Sequence, residues 1–189
     1  DDLTNNNNIG IGASSLQNND GGYDNIAIGF ESLYNNSDGH KNIAIGKLAL
    51  HSNTVGENNI AIGNRALYFN STGSDNIAHG YRALRQNETG SGNIANGYQS
   101  LYNNITGDFN IANGFLSLNK NTNGNYNIAN GYRALYENTS GQYNIANGYE
   151  ALFNNTIGEI DSLSWEIGNG TKHYEDSPTI SFDSYDDYG

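Results

Sequence analysis

Apolar residues in this chain neither alternate over long runs nor follow a helical period. They return at a fixed step of 17 residues. The unit reads Asn-Ile-Ala-Ile-Gly, then a short apolar run, then an Asn-x-x-Gly turn, as in residues 25–41. Counting its first Asn as offset 0, copies begin at Asn8, Asn25, Asn42, Asn59, Asn76, Asn93, Asn110, Asn127 and Asn144, with no insertion between them. A short, invariant period predicts a solenoid, in which each repeat forms one coil and buries its apolar side only against its neighbours. The expected fold is therefore all-β: a parallel β-solenoid, or β-roll, of nine 17-residue coils over residues 8–160. A short N-terminal arm (1–7) precedes it, and a degenerate capping coil with an acidic strand or tail (161–189) follows.

The columns assign roles. Offset 1 is Ile and offset 8 is Leu in every coil, and these predict the core ladder, exemplified by Ile26, Ile43, Ile60 and Ile77 with Leu33, Leu50, Leu67 and Leu84. Each such side chain contributes about 1.5–3 kcal/mol if buried, which opposes the entropy of ordering so many Gly and Asn residues. Offsets 4 and 14 are always Gly, marking corners that need positive φ or close backbone approach. Offsets 2 and 7 are almost always Ala, Ser or Gly, as a narrow cross-section requires. Offsets 0–3 are expected as one strand, offsets 5–9 as a second, and offsets 10–16 as a turn-rich return. A helix over Tyr132–Asn138 fails, because about six residues between fixed glycines are too few. At the ~4.8 Å spacing of parallel strands, nine coils give a rod of roughly 43 Å.

Three columns carry functional possibilities. Offset 11 is always Asn, and Asn70, Asn87, Asn104 and Asn138 lie in Asn-x-Ser/Thr glycosylation sequons, as do Asn35, Asn154 and Asn169. Offset-11 residues without a sequon keep Asn too, so a stacked Asn ladder tying the turns explains the column better. Offset 3 runs Ile11, Ile28, Ile45, Ile62, His79, then Asn96, Asn113, Asn130 and Asn147. It is either an inter-subunit seam near the N-terminal end or an interior column that Ile and stacked Asn fill interchangeably. Aromatics occupy offset 5 (Phe30, Tyr81, Tyr98, Phe115, Tyr132, Tyr149) and offset 9 (Tyr34, Tyr68, Tyr102, Tyr136, Phe153). They read either as stacking that stabilises the coil or as an assembly or ligand surface for a glycan or protein. Tyr recurs at offset 9 in every second coil through Tyr136, a 34-residue superperiod.

After Ile160 the pattern breaks. Ser164-Trp165-Glu166-Ile167-Gly168 reads as a capping half-coil with Trp165 as lid, covering backbone that a solenoid end would leave unpaired. Residues 179–183, carrying Ile180 and Phe182, form an alternating strand candidate for assembly. Asp183, Asp186 and Asp187 lack calcium-loop spacing and read as a solvated acidic tail.

Composition narrows the partners. The net charge of -12 argues against nucleic acid and anionic membrane surfaces, and no apolar run approaches the ~20 residues of a membrane span. Without Cys there is no disulfide framework or thiolate site. The absence of Met and the Asp1-Asp2 start lead to the expectation of a processed, exported product. His40, His51, His79 and His173 fall at unrelated offsets, Gly10-Ile11-Gly12 belongs to the repeat, and carboxylates are sparse within the coils. No catalytic residues, metal site or cofactor are expected, and the chain reads as a non-enzyme.

The periodic blocks Asn42-Ile43-Ala44-Ile45-Gly46 and Asn59-Ile60-Ala61-Ile62-Gly63 resemble the head repeats of trimeric autotransporter adhesins, which coil into a left-handed parallel β-roll. Similar repeats occur in phage tail fibres and other exported bacterial surface proteins. The resemblance implies an extracellular or cell-surface location, adhesion and trimers. Two functions are expected from the chain as a whole. One is a non-catalytic structural subunit that joins end to end into a surface filament by coil stacking and terminal strand exchange. The other is an adhesin or fibre head that binds a glycan or surface protein through its Tyr columns. Ice binding would need a regular exposed Thr array, which the columns do not supply.

Overall fold

A computed structural model describes residues 6–155. Part of the arm assigned to residues 1–7, and the whole capping segment with Trp165, Ile180 and Phe182, lie outside the described residues. Within them the protein is all-β, a parallel β-solenoid. Nine three-residue strands, from Ile9–Ile11 and Ile26–Ile28 through Ile145–Asn147, form one sheet in sequence order. Each strand pairs with the strand 17 residues away, as Ile43 with Ile60, Ala44 with Ala61 and Ile45 with Ile62. A two-stranded sheet, Asn18–Asn19 with Asn35–Asn36, marks the return side of the first coils.

The strand presents the face opposite to the expected one. Ala27, Ala44, Ala61, Ala78, Ala95, Ala112 and Ala129 at offset 2 are fully buried. The flanking isoleucines face outward: Ile26, Ile43 and Ile60 are half-buried and Ile77 is 37% exposed. Isoleucine is therefore not part of the interior. The reason is width. Leu33, Leu50, Leu67 and Leu84 enter from the opposite wall at 0% exposure, and the space that remains admits a methyl group but no longer side chain. Offset 3 faces outward as well, with Ile45 and Ile62 exposed, so it is not an interior column that Ile and Asn share.

The expected second strand is instead a run of turns. Residues at offsets 6 and 8 have positive φ throughout, for example Glu31 (50°) and Leu33 (48°). Left-handed backbone costs a branched residue roughly 1–2 kcal/mol. Complete burial of a leucine returns about 1.5–3 kcal/mol, so the invariant Leu offsets its own strain. A tight turn closes at the Gly corner, where Ser32 N donates to Gly29 O (3.4 Å). Where offset 7 is Ser its hydroxyl donates to the same carbonyl, at 3.1 Å in Ser32, which accounts for the Ser/Ala interchange there. The turns also pair between coils in both directions. Glu31 N donates back to Ala13 O (3.0 Å), while Leu33 N donates forward to Ala49 O (3.0 Å).

Both glycine columns are needed for coil-to-coil approach. Gly29 has φ of 136°, and a Cβ there would lie 2.6 Å from Gly46 O. At offset 14 a Cβ on Gly107 would lie 2.5 Å from Gly124 O and would meet the Asn104 side chain.

Two asparagine columns, not one, are buried. Asn59 at offset 0 and Asn70 at offset 11 both donate Nδ2–H to Gly73 O, at 2.9 and 2.7 Å. The pattern repeats with Asn76 and Asn87 on Gly90 and with Asn93 and Asn104 on Gly107. One carbonyl thus uses both lone pairs to tie the two ends of its coil. Each amide also donates to the matching Oδ1 of the preceding coil, as Asn87 to Asn70 (2.7 Å) and Asn76 to Asn59 (3.1 Å). At offset 0 the backbone joins in, with Asn76 N donating to Asn59 Oδ1 (3.1 Å).

Truncation should separate the two columns that sequence patterning makes look alike. Leu84→Ala is expected to lower unfolding stability by about 2–5 kcal/mol in urea titrations, and Ile77→Ala by less than about 1 kcal/mol. Equal losses would contradict the outward strand face. Asn87→Asp leaves a carboxylate facing Asn70 Oδ1 and Gly90 O and is expected to cost roughly 3–5 kcal/mol near neutral pH.

Candidate functional site

Asn70, Asn87, Asn104 and Asn138 are fully buried, and each commits both Nδ2 hydrogens, as Asn104 does to Asn87 Oδ1 (2.7 Å) and Gly107 O (2.8 Å). N-glycosylation would replace one of those hydrogens and would need a path out through the neighbouring coils. These four residues are therefore structural and cannot carry glycans in the folded rod. Among the sequon asparagines described, Asn154 is exposed.

Aromatic residues form columns one coil apart. At offset 5, Tyr81, Tyr98, Phe115, Tyr132 and Tyr149 stack with centroid spacings of 5.2, 5.0, 5.3 and 4.9 Å and nearly parallel planes. Sequence reading missed a third column at offset 16, where Phe109, Tyr126 and Tyr143 stack at 5.3 and 5.2 Å and are exposed. The signal was available, since these three residues sit 17 apart immediately before an offset-0 Asn. Within such a stack the ring faces are taken up by neighbouring rings. What remains for solvent is ring edges and hydroxyls, so a sugar cannot lie flat on an interior ring.

The offset-9 column differs. Tyr34, Tyr68, Tyr102 and Tyr136 are half-buried, and the superperiod has a physical basis. His51 lies between Tyr34 and Tyr68, at 5.2 and 4.8 Å with interplanar angles of 4° and 12°. The Arg85 guanidinium lies between Tyr68 and Tyr102, at 5.4 and 5.6 Å, and donates to Tyr102 Oη (3.1 Å). A planar imidazole or guanidinium thus sits between electron-rich phenol rings, His51 by ring stacking and Arg85 by cation–π contact. The order ends at Asn119, which follows Tyr102 in the column, and Tyr136 stacks directly on Phe153 (5.1 Å).

The strand face completes the outer surface. Ile45, Ile62 and Ile77 are exposed along its first half. Along the second half Asn96, Asn113, Asn130 and Asn147 form a ladder at 2.8–2.9 Å, whose amides donate toward the C-terminal end. That direction is opposite to the buried ladders.

Among the described residues no three His, Cys, Asp or Glu side chains converge to hold a metal ion, and no helix is long and apolar enough to cross a membrane. Among the described residues the ion pairs Lys120–Glu137 (2.8 Å) and Arg133–Glu150 (3.6 Å) are axial links between coils, as are the contacts of His40 with Glu57 (2.8 Å) and of His51 with Glu31 (3.8 Å). No family model, curated protein or solved structure matches the chain.

Burial between the two tyrosines holds the His51 imidazole below its ordinary value of 6.5, with the Glu31 carboxylate 3.8 Å away opposing the shift. The folded ring then binds a proton less readily than the unfolded one. Its contribution is complete above pH 6.5 and is lost as pH falls from 6.5 toward the depressed folded value. His51→Phe keeps the stack and removes the titration. Wild type is expected to lose more stability than this variant between about pH 8 and about pH 5 by thermal unfolding, and identical pH profiles would contradict the sandwich.

Proposed function

We propose that the protein is a non-catalytic structural rod, a subunit of an extracellular or surface filament that joins end to end through coil stacking. The observation that carries this reading is the commitment of the buried polar side chains to neighbouring coils. The Asn clamps, the Gly contacts and the aromatic columns all act along one axis, at one 17-residue step. Such a molecule bears load by translation of a single contact set, and adding a coil extends the core without altering it. The resemblance to exported adhesin and fibre repeats supports the location, and the self-association follows from the stacking logic.

A second reading is favoured by the exposed strand face and the offset-5 and offset-16 rings: an adhesin or fibre head that binds a surface protein or glycan laterally. Here recognition would use ring edges, tyrosine hydroxyls and the Asn ladder, and the binding energy would be dominated by a few exposed aromatic anchors.

Electron microscopy of the purified chain separates the two. Uniform fibres one solenoid wide are expected, whereas discrete short particles at every concentration would exclude the filament. For the lateral reading, Tyr98→Ala and Tyr126→Ala together should abolish binding on a glycan or matrix-protein array while leaving fibre length unchanged. Fibres that form with no array binding would leave the structural role alone.

A further inference from the structure

At offset 6 the 17-residue step brings side chains of successive coils into contact, as Arg133 meets the Glu150 carboxylate at 3.6 Å. Opposite charges also face each other one coil apart at Lys120 and Glu137. Arg65 and Arg82 occupy the offset-6 column in consecutive coils, so the same step sets two arginines side by side where Arg133 has a glutamate. Their backbones are in register with the coils before them, Arg65 N donating to Lys47 O and Arg82 N to Asn64 O, both at 3.0 Å. Neither arginine has a carboxylate partner among the described residues. Like charges one coil apart repel, and a counter-charge lying between them relieves the cost.

The surroundings add to the positive charge. Lys47 is exposed one coil before Arg65, and no Asp or Glu occurs at offsets 5–9 of the three coils that begin at Asn42, Asn59 and Asn76. The carboxylates of these coils, Glu57, Asp75 and Glu88, sit at offsets 15, 16 and 12, on the return. The offset-5 stack is interrupted at the same place. Between Phe30 and Tyr81 that column holds Lys47 and Asn64 instead of rings, and both are exposed. Tyr81 bounds the gap on one side, with the Arg82 guanidinium over its ring at 4.9 Å. Phe30 bounds it on the other, with Lys47 Nζ 5.6 Å from the ring centroid. The outcome is a single file of cations, Lys47, Arg65 and Arg82, one per coil, beside a side-chain amide and a phenol hydroxyl.

We infer that this file binds a linear acidic polysaccharide, with carboxylate or sulfate groups on successive sugars, laid along the rod axis. The inference rests on the lateral-binding reading and names its ligand class and contact residues. One coil step, ~4.8 Å, is close to the length of one pyranose unit in a chain, so consecutive acidic groups meet consecutive cations. A guanidinium binds a carboxylate or sulfate through two parallel N–H donors, and the Tyr81 ring holds the Arg82 plane in place beforehand. Asn64 and the Tyr81 hydroxyl supply partners for sugar hydroxyls. A nucleic-acid strand fits less well, because its bases need open ring faces and the Tyr81 ring is flanked by Arg82 and by Tyr98 at 5.2 Å. The net charge of -12 does not prevent local binding, since at physiological salt charges farther away than about 8 Å are largely screened.

The test measures binding of the full chain to immobilised heparin, polygalacturonate, dextran and single-stranded DNA. Heparin carries sulfate, polygalacturonate carboxylate, dextran neither, and DNA phosphate. Binding to at least one acidic polysaccharide and not to dextran is expected, weakening as salt rises from about 0.05 M to about 0.5 M. The tighter of the two identifies the acidic group. Arg65→Gln/Arg82→Gln should weaken the binding roughly tenfold or more. Lys47→Gln, at an exposed position, should weaken it about threefold, so the test does not depend on any part the arginines play in folding. Arg133→Gln removes the same charge from the same column at its paired position and should change the affinity by less than about twofold.

Equal losses in Arg82→Gln and Arg133→Gln would mark diffuse charge attraction and overturn the site. DNA bound as tightly as the acidic polysaccharides would overturn it too. A neutral glycan or matrix protein bound through Tyr98 and Tyr126, with no acidic polysaccharide bound, would overturn this ligand and leave the lateral reading standing. No binding to the polysaccharides or to the array would overturn both.

Discussion

The structure depends on one carbonyl per coil. The offset-14 glycine turns its oxygen inward and accepts from two asparagine amides, one at each end of the coil's long loop, as Gly73 does from Asn59 and Asn70. Two lone pairs receive two donors, so nothing polar is left over at that point. The glycine must lack a side chain because the Asn ladder and the next coil's carbonyl occupy the place a Cβ would take. A coil this thin buries little apolar surface for each residue it orders, and the clamp fixes its shape where packing alone would not.

Stacking then turns a local clamp into an axial one. From Asn36 and Asn42 onward each buried ladder amide also donates to its counterpart in the preceding coil, so the polar interior is a continuous chain of hydrogen bonds alongside the column of buried leucines. The clamp works in this environment because it is fully satisfied. A single amide left without its partner would cost a large part of what the adjacent leucine contributes. This explains why the Asn and Gly columns are fixed while offsets 5, 6 and 9, most of whose residues face outward or lie in stacks, vary among charged, amide, small, aliphatic and aromatic residues.

The sequence disclosed the period, the parallel sheet and the leucine ladder, because each depends on residue type at a fixed spacing. It misled about the isoleucines. A strand of three residues has room to point either one or two side chains inward, and hydrophobicity alone favours two. The deciding quantity is the distance to the opposite wall, set by Leu67 and its equivalents and visible only once the coil is closed. The almost invariant alanine at offset 2 was the available sign, since an exposed position has no reason to remain that small. The offset-0 asparagines were overlooked for a related reason. An Asn before a strand reads as turn chemistry, and the carbonyl that buries it lies 14 residues further on. The sequons at Asn87 and Asn104 show the converse, a local motif whose meaning is cancelled by a ladder that no tripeptide reveals.

Repetition gives the rod a property that no single coil has, which is direction. The two buried ladders donate toward the N-terminal coil and the outer Asn96–Asn147 ladder donates the other way. The outer row therefore offsets part of the amide dipole of the inner rows, and only along the second half of the rod. The backbone N–H fixes the inner ladder's sense, and the outer face is then the place where an opposing row can form. Asn replaces Ile at offset 3 in the second half of the rod, where that row forms. The exchange of an apolar for an amide column on the strand face thus has an electrostatic consequence along the axis as well as a chemical one on the surface.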